Sequence, residues 1–171
     1  SGGVADASWR PNPQDTASLM ASAGEMRYAG SNASRDARSR SLGLTFSRAM
    51  QDAFKTQAST TLSVAREDNL RNLPHLGRQV GTARVGLSLQ PAARVTVSLS
   101  YQQQLARHQG DDPLLGIRRQ DRLAETSLSL AYALGAKTTV TAAYSTLRNH
   151  SNAELWEFGR SIVSVKLRYQ F

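Results

Sequence analysis

The stretch SIVSVKLRYQF, residues 161–171, sets Val163, Val165, Leu167, Tyr169 and Phe171 on one side of an extended chain. Ser164, Lys166, Arg168 and Gln170 fall on the other side. Successive side chains of a strand point to opposite faces, so the segment predicts a strand with one apolar and one polar or cationic face. Which face meets the protein's own interior decides the fold.

The same pattern recurs upstream. TARVGLSLQ sets Val85, Leu87 and Leu89 against Arg84, Gly86 and Ser88, and RVTVSLSYQ sets Val95, Val97, Leu99 and Tyr101 against Arg94, Thr96, Ser98 and Ser100. AETSLSLAYALG alternates Leu128, Leu130 and Tyr132 with Ser127, Ser129 and Ala131, followed by KTTVTAAYST with Val140, Ala142 and Tyr144. SLGLTFS and ASTTLSVAR carry the fainter phases Leu42, Leu44, Phe46 and Leu62, Val64. TASLMASAGEMRYAG reads as a further strand with poor alternation. Strands are expected near 17–28, 40–48, 57–66, 80–90, 93–103, 123–134, 137–147 and 160–171. Residues 1–16 read as a periplasmic lead-in or as the end of a preceding strand and its turn.

Composition narrows the class. The 171 residues suit one domain and contain no cysteine, which removes disulfides, thiolate metal sites and thiol nucleophiles. No apolar run approaches the roughly 20 residues of a membrane helix. No signal segment opens the chain, so it reads as mature or as cut from something longer. The net charge of +8 is carried almost wholly by arginine, since only Lys55, Lys137 and Lys166 are lysines. The arginines are mixed with acids in SRDARSR, REDNLRN and GIRRQDR or stand singly on strands, with no basic helix and no phosphate-cradling glycine loop. Nucleic acid is therefore not an expected partner.

The connections divide into short ones, QPAA, LGAK and the stretch around MQDAFK, and long polar ones, such as QQLARHQGDDPLLGIRRQDR and RNHSNAELWEFGR. They alternate along the chain, which in an up-and-down meander puts all short turns at one end and all long loops at the other. Alternating strands, short turns opposite long loops and a single apolar face together predict a transmembrane β-barrel. Only a closed sheet pairs every backbone group in lipid without helices. A soluble barrel with its apolar face inward is the alternative. Against it stand polar faces of Ser, Thr, Gly and Ala with few Lys or Glu, and Tyr101, Tyr132 and Tyr169 on apolar faces near expected strand ends, as in an interfacial girdle.

The expected fold is thus an all-β, antiparallel up-and-down transmembrane barrel. About 8 strands lie in this chain, which is either a complete barrel or the C-terminal part of a larger one. The ending SIVSVKLRYQF resembles the closing strand of bacterial outer-membrane barrels. That resemblance implies an assembly signal at Leu167, Tyr169 and Phe171, read by the barrel-assembly machinery as a partner. STLRNHSNAELWEFGRSIVSVKLRYQF more narrowly resembles the last hairpin of tetratricopeptide-linked barrels of polysaccharide-secretion systems, with Ser151, Asn152, Phe158 and Arg160 at the matching positions. ASWRPNPQDTASL is similar to the inner turns of exopolysaccharide-associated barrels.

The segment NHSNAE also resembles the His-x-Ser-Asn-Ala motif of lipid A deacylase barrels. The residue two before Ser151 is Asn149, however, and His150 is adjacent, hence on the opposite face, so the imidazole cannot activate the hydroxyl. No catalytic residue is assigned. His75, His108 and His150 have no ligand-like spacing, and neither a metal site nor a cofactor is expected. Asp111 and Asp112 read as a solvated turn that could bridge lipopolysaccharide through a divalent ion.

Arg84, Arg94, Glu125, Lys166 and Arg168 are expected to face the lumen. Of these, Arg94, Lys166 and Arg168 should cluster near the short-turn end of a wide, anion-attracting channel. Arg118, Arg119 and Arg122 are loop candidates for lipid phosphates or anionic sugars. The expected function is a pore component for a hydrophilic, anionic polysaccharide. A small closed structural or adhesive barrel is the alternative, and a lipid A-modifying enzyme is disfavoured. The expected setting is the bacterial outer membrane with both termini periplasmic, among lipid, lipopolysaccharide and periplasmic secretion components.

Overall fold

The computed structural model describes residues 1–170, without the side chain of Ser31; Phe171, the last residue of the expected assembly signal, lies outside the described residues. The chain is a meander of nine antiparallel strands in one sheet, each strand paired with its neighbours in sequence. They are β1 (Gly2–Trp9), β2 (Asp15–Met26), β3 (Ala37–Ala49), β4 (Gln57–Asn69), β5 (Arg78–Ala92), β6 (Val95–Asp111), β7 (Arg118–Ala133), β8 (Thr138–Ser151) and β9 (Phe158–Tyr169). Three short 3-10 turns, Gly30–Arg35, Pro74–Leu76 and Glu154–Trp156, occupy three connections at one end. Among the described residues, no helix is long and apolar enough to cross a membrane.

The register carries one phase across the whole sheet. Leu19 lies opposite Leu44, Leu44 opposite Leu62, and Leu62 opposite Ala83. Farther on, Leu99 lies opposite Leu128, Leu128 opposite Tyr144, and Tyr144 opposite Val163. One face is therefore a continuous apolar band. The other is built from Ser22, Ser41, Ser63, Thr82, Ser100, Ser127, Ser145 and their neighbours, several joined by hydroxyl pairs such as Ser22–Ser41 at 2.7 Å and Thr45–Thr61 at 3.0 Å.

The apolar face is the open one. Along β4, Thr61 and Ser63 are half-buried while Leu62 and Val64 are 54% and 61% exposed. Among the described residues the only buried hydrophobics are Ala106 and Ala153, and no side chain is fully enclosed. A water-soluble barrel does the reverse, because apolar area removed from water is its main stabilisation. This polarity is inverted. A soluble barrel with its apolar face inward is not what the sequence folds into.

The structure departs from expectation in four ways. Gly2–Trp9 forms a strand paired with β2 and followed by a turn, one of the two alternatives for residues 1–16, and brings the count to nine where about eight were expected. Because nine is odd, Gly2 beside Gly24 and Tyr169 beside Thr138 lie at opposite ends of the sheet, whereas both ends were expected on one side. The strands also outrun their expected limits, β6 continuing to Asp111 and β7 beginning at Arg118. Much of the longest expected loop is thus a paired extension, because backbone ladders need no apolar pattern where water meets the side chains. Connections at the loop end shrink to 27–36, 70–77, 112–117 and 152–157, yet each stays longer than the turn-end connections beside it, 10–14, 50–56, 93–94 and 134–137, so short and long still alternate along the chain. Lengthening β6 also moves Tyr101 away from a strand end; Tyr132, Tyr169, Trp9 and Phe46 remain near the turn end of the apolar face.

Candidate functional site: the shielded polar face and its loop-end pocket

On the polar face, Arg84 lies opposite Gln102, Gln102 opposite Glu125, Glu125 opposite Leu147, and Leu147 opposite Arg160. Arg84 and Glu125, both expected to face the lumen, thus occupy a single row. With Gln57, Ser98, Ser100 and Ser127 they line a cavity of about 500 Å³. Gly86 keeps this surface low, since a Cβ there would come within 2.9 Å of the Ser59 hydroxyl. Sequence reading missed Gln102 and Arg160 as members of the row; their strand phase was legible, but their height was not.

The expected cations Arg94, Lys166 and Arg168 all stand near the turn end but spread along it rather than forming one cluster. Arg94 sits in the two-residue turn 93–94 rather than on a strand, its carbonyl accepting the Ala133 N–H at 2.8 Å. Lys166 and Arg168 take the polar-face phase on β9, opposite Thr141 and Thr139. Two strands separate β9 from the strand that follows Arg94, a distance of roughly 14 Å at normal sheet spacing. Leu167 and Tyr169 take the apolar phase, 70% and 58% exposed.

The loop end is more organised than its sequence suggests. Asn69 donates to the Ser34 carbonyl at 2.7 Å and accepts the N–H groups of Arg71 and Leu73. Asp36 accepts the Tyr28 N–H at 2.8 Å and pairs with Arg71 at 3.0 Å. The Tyr28 N–H holds its carboxyl below the ordinary range against the opposing effect of desolvation, with help from Arg71. Asn152, named above from a motif, bridges its loop to β7 by accepting from Gln120 N–H at 2.8 Å and donating to the Arg118 carbonyl at 2.9 Å. Asp112 spends its carboxylate on the Leu114 and Leu115 N–H groups, and Asp111 lies 3.6 Å from Arg118. Gly110 bulges β6 beneath Pro74 and His75; a Cβ there would meet the His75 nitrogen at 2.9 Å.

These anchored loops surround a pocket of about 470 Å³ lined by Tyr28, His75, Arg78, His108, Arg119 and Trp156. At its floor, His108 Nδ1 donates to the His75 carbonyl at 2.8 Å, which leaves Nε2 facing Asp121 at 3.9 Å. Arg119 Nε lies 3.0 Å from Asp121, at an angle too poor for a hydrogen bond, and its guanidinium covers the Trp156 ring at 4.1 Å. The side chains of His108, Asp121 and Arg119 are 10%, 14% and 16% exposed. Yet His108 Nε2, Arg119 Nε and Asp121 Oδ1 have no hydrogen-bond partner among the described residues. Buried polar atoms are rarely left so; these have almost no surface open to the pocket, and the close Arg119–Asp121 ion pair is what offsets the missing hydrogen bonds.

Of the three loop arginines expected to meet anions, Arg119 alone enters this pocket. Arg118 pairs with Asp111, and Arg122 is on the apolar-face phase, where the Gln103 amide oxygen, turned toward it, accepts its Nε–H at 2.7 Å. Ser151 and His150 point to opposite faces, His150 pairing with Glu157 at 2.9 Å. Among the described residues no three His, Asp or Glu side chains converge as metal ligands. His108 and Asp121 carried no motif, and only the pairing of β6 with β7 brings them together.

No protein-family model matches the chain, and no curated protein matches it. Among solved structures, one described as copper transporter OprC is similar over 97% of this chain at 16% identity, with a TM-score of 0.46. The chain spans about a third of that structure's length, 32%.

Proposed function

We propose that this sheet is part of the wall of an outer-membrane β-barrel whose polar face lines a passage for a hydrophilic, anionic solute, with an acidic polysaccharide as the substrate class. The observation that carries the reading is the inverted polarity: Leu62, Val64, Leu44 and Val163 are open while the Ser and Thr of the alternate phase are shielded. Lipid on the convex side would cover the apolar band, and water on the concave side would solvate the hydroxyls.

Strand parity supports a larger barrel over a small closed one. β1 and β9 run in the same direction and do not pair with each other, so antiparallel closure needs further strands between them. In lipid those two open edges would otherwise leave backbone groups unpaired. Besides the ion pairs Arg78–Glu67 and Arg119–Asp121, the polar face carries Arg84, Arg160, Lys166 and Arg168 against Glu125 and Asp6, an excess of positive charge that favours anions. The pocket at the loop end, lined by Trp156, Tyr28, His75 and Arg78, offers aromatic faces and polar groups that suit sugar rings and hydroxyls at the entrance or exit.

The test is planar-bilayer conductance of the full-length protein. The expected result is a water-filled, mildly anion-selective channel whose preference falls when Arg84, Arg160, Lys166 and Arg168 are replaced by Gln. Absence of conductance, or selectivity indifferent to those four substitutions, would refute the passage while leaving the membrane-embedded sheet intact.

A further inference from the structure

The convex face carries a feature that neither the apolar band nor the passage explains. Toward the loop end, Arg40 on β3 lies directly opposite Arg66 on β4; Arg66 lies opposite Gln79, and Gln79 opposite Arg107 on β6. All three arginines share the outward phase of Leu42, Val64 and Leu105 and are exposed. Like charges directly opposite one another across a strand pair are destabilising unless something neutralises them. The protein does so only in part. Arg66 pairs with Asp68 at 2.8 Å, Arg40 has only the more distant field of that same carboxylate, and Arg107 has no ion pair or hydrogen bond among the described residues.

Below this row is a notch. Gly81 sits between Val64 and Leu105, and a Cβ built there would meet nothing within 4 Å. The resulting groove, about 570 Å³, is lined at once by Arg40, Arg66 and Arg107 and by Leu42, Gly81 and Leu105. It adjoins a second apolar groove of about 650 Å³ that continues toward mid-sheet along Leu44, Leu62 and Ala83. A cationic rim above a long apolar channel, on a face with no polar cover, matches one kind of occupant. It must have an anionic head at the height of the arginines and hydrocarbon below.

We propose that the outer surface of β3–β6 binds a phosphorylated, multiply acylated membrane lipid, its phosphate held by Arg40, Arg66 and Arg107 and an acyl chain laid over Gly81. Guanidinium forks suit phosphate oxygens, and a phosphate between Arg40 and Arg66 removes the repulsion that the register imposes. The proposal rests on the membrane reading of the convex face but not on the passage, so conductance and lipid binding can fail separately.

The experiment places the full-length protein in phosphatidylcholine nanodiscs with and without added lipid A, and measures retained lipid by native mass spectrometry. Wild type is expected to retain lipid A selectively. Each arginine replaced by Gln should weaken retention by about tenfold. Replacing Arg10 and Arg94, which carry the same charge in turns at the other end of the sheet, should not. Gly81→Leu fills the groove without changing charge and is expected to reduce retention while the protein remains folded by circular dichroism. Retention unchanged in the Arg40/Arg66/Arg107 variant would overturn the proposal, as would equal loss in the Arg10/Arg94 control. Displacement of lipid A by inorganic phosphate alone would reduce the site to an anion site and overturn the lipid assignment. A protein that does not enter nanodiscs at all would instead overturn the membrane reading beneath it.

Discussion

Leu62→Arg separates a membrane-embedded sheet from a soluble one. Leu62 is in the middle of β4, opposite Leu44 and Ala83, and is 54% exposed. Fully transferring a leucine side chain out of water is worth roughly 1.5–3 kcal/mol, so the part that the protein leaves open to lipid carries on the order of 1 kcal/mol. A cation at the bilayer midplane of a barrel costs a further ~2–4 kcal/mol. The substitution is therefore expected to destabilise the bilayer-embedded protein by about 3–5 kcal/mol. On a solvated sheet face the same change would stay within about 0.5 kcal/mol. The assay is urea unfolding from phospholipid vesicles, followed by the fluorescence of Trp9 and Trp156. Ser63→Arg, one residue on and facing the polar side, is the matched control and is expected to cost little, since water can reach its charge. If Leu62→Arg unfolds at the wild-type midpoint, or if the two variants lose equal stability, the assignment of lipid to the apolar face is wrong.

Two further outcomes follow from the loop end. Gly110→Ala should destabilise by about 1–3 kcal/mol, because the new methyl group would press on the His75 backbone nitrogen and the Pro74 ring, neither of which can rotate away; normal amide protection across residues 73–77 in hydrogen exchange would contradict this. The link between Asp36 and Tyr28 should fail in acid. A carboxyl whose folded pKa is depressed contributes stability that is present above its unfolded value, ordinarily near 3.8, and is lost as pH falls through the lower folded value. The Tyr28 amide should then exchange faster below that window, whereas Asp36→Asn should remove the pH dependence. Protection that persists unchanged into strong acid would show that the carboxylate does not hold this loop.

The sequence by itself determined the strand type, the up-and-down order and the phase of the seven strands from β3 to β9. A period of two assigns every side chain to a face without reference to any partner, so Leu62 and Ser63, or Leu167 and Lys166, were separable at once. It also marked the turn ends, where QPAA and LGAK leave room for little else. Several things could be decided only by pairing. Alternation tells which face a residue takes but not how high it stands. Thus the row Arg84–Gln102–Glu125–Arg160 and the facing pair Arg40–Arg66 exist only because the ladders fix neighbouring registers. The polar ends of β6 and β7, read as loop, are strand because each supplies backbone partners to the other beyond the apolar band. The pocket floor combines His108 with Arg119 and Asp121, residues on two strands whose approach no local pattern announces. Finally, the direction of the apolar face is a property of the curved sheet as a whole. The strands are amphipathic either way, and only the shielding of Ser and Thr beside open Leu and Val shows which side turns inward.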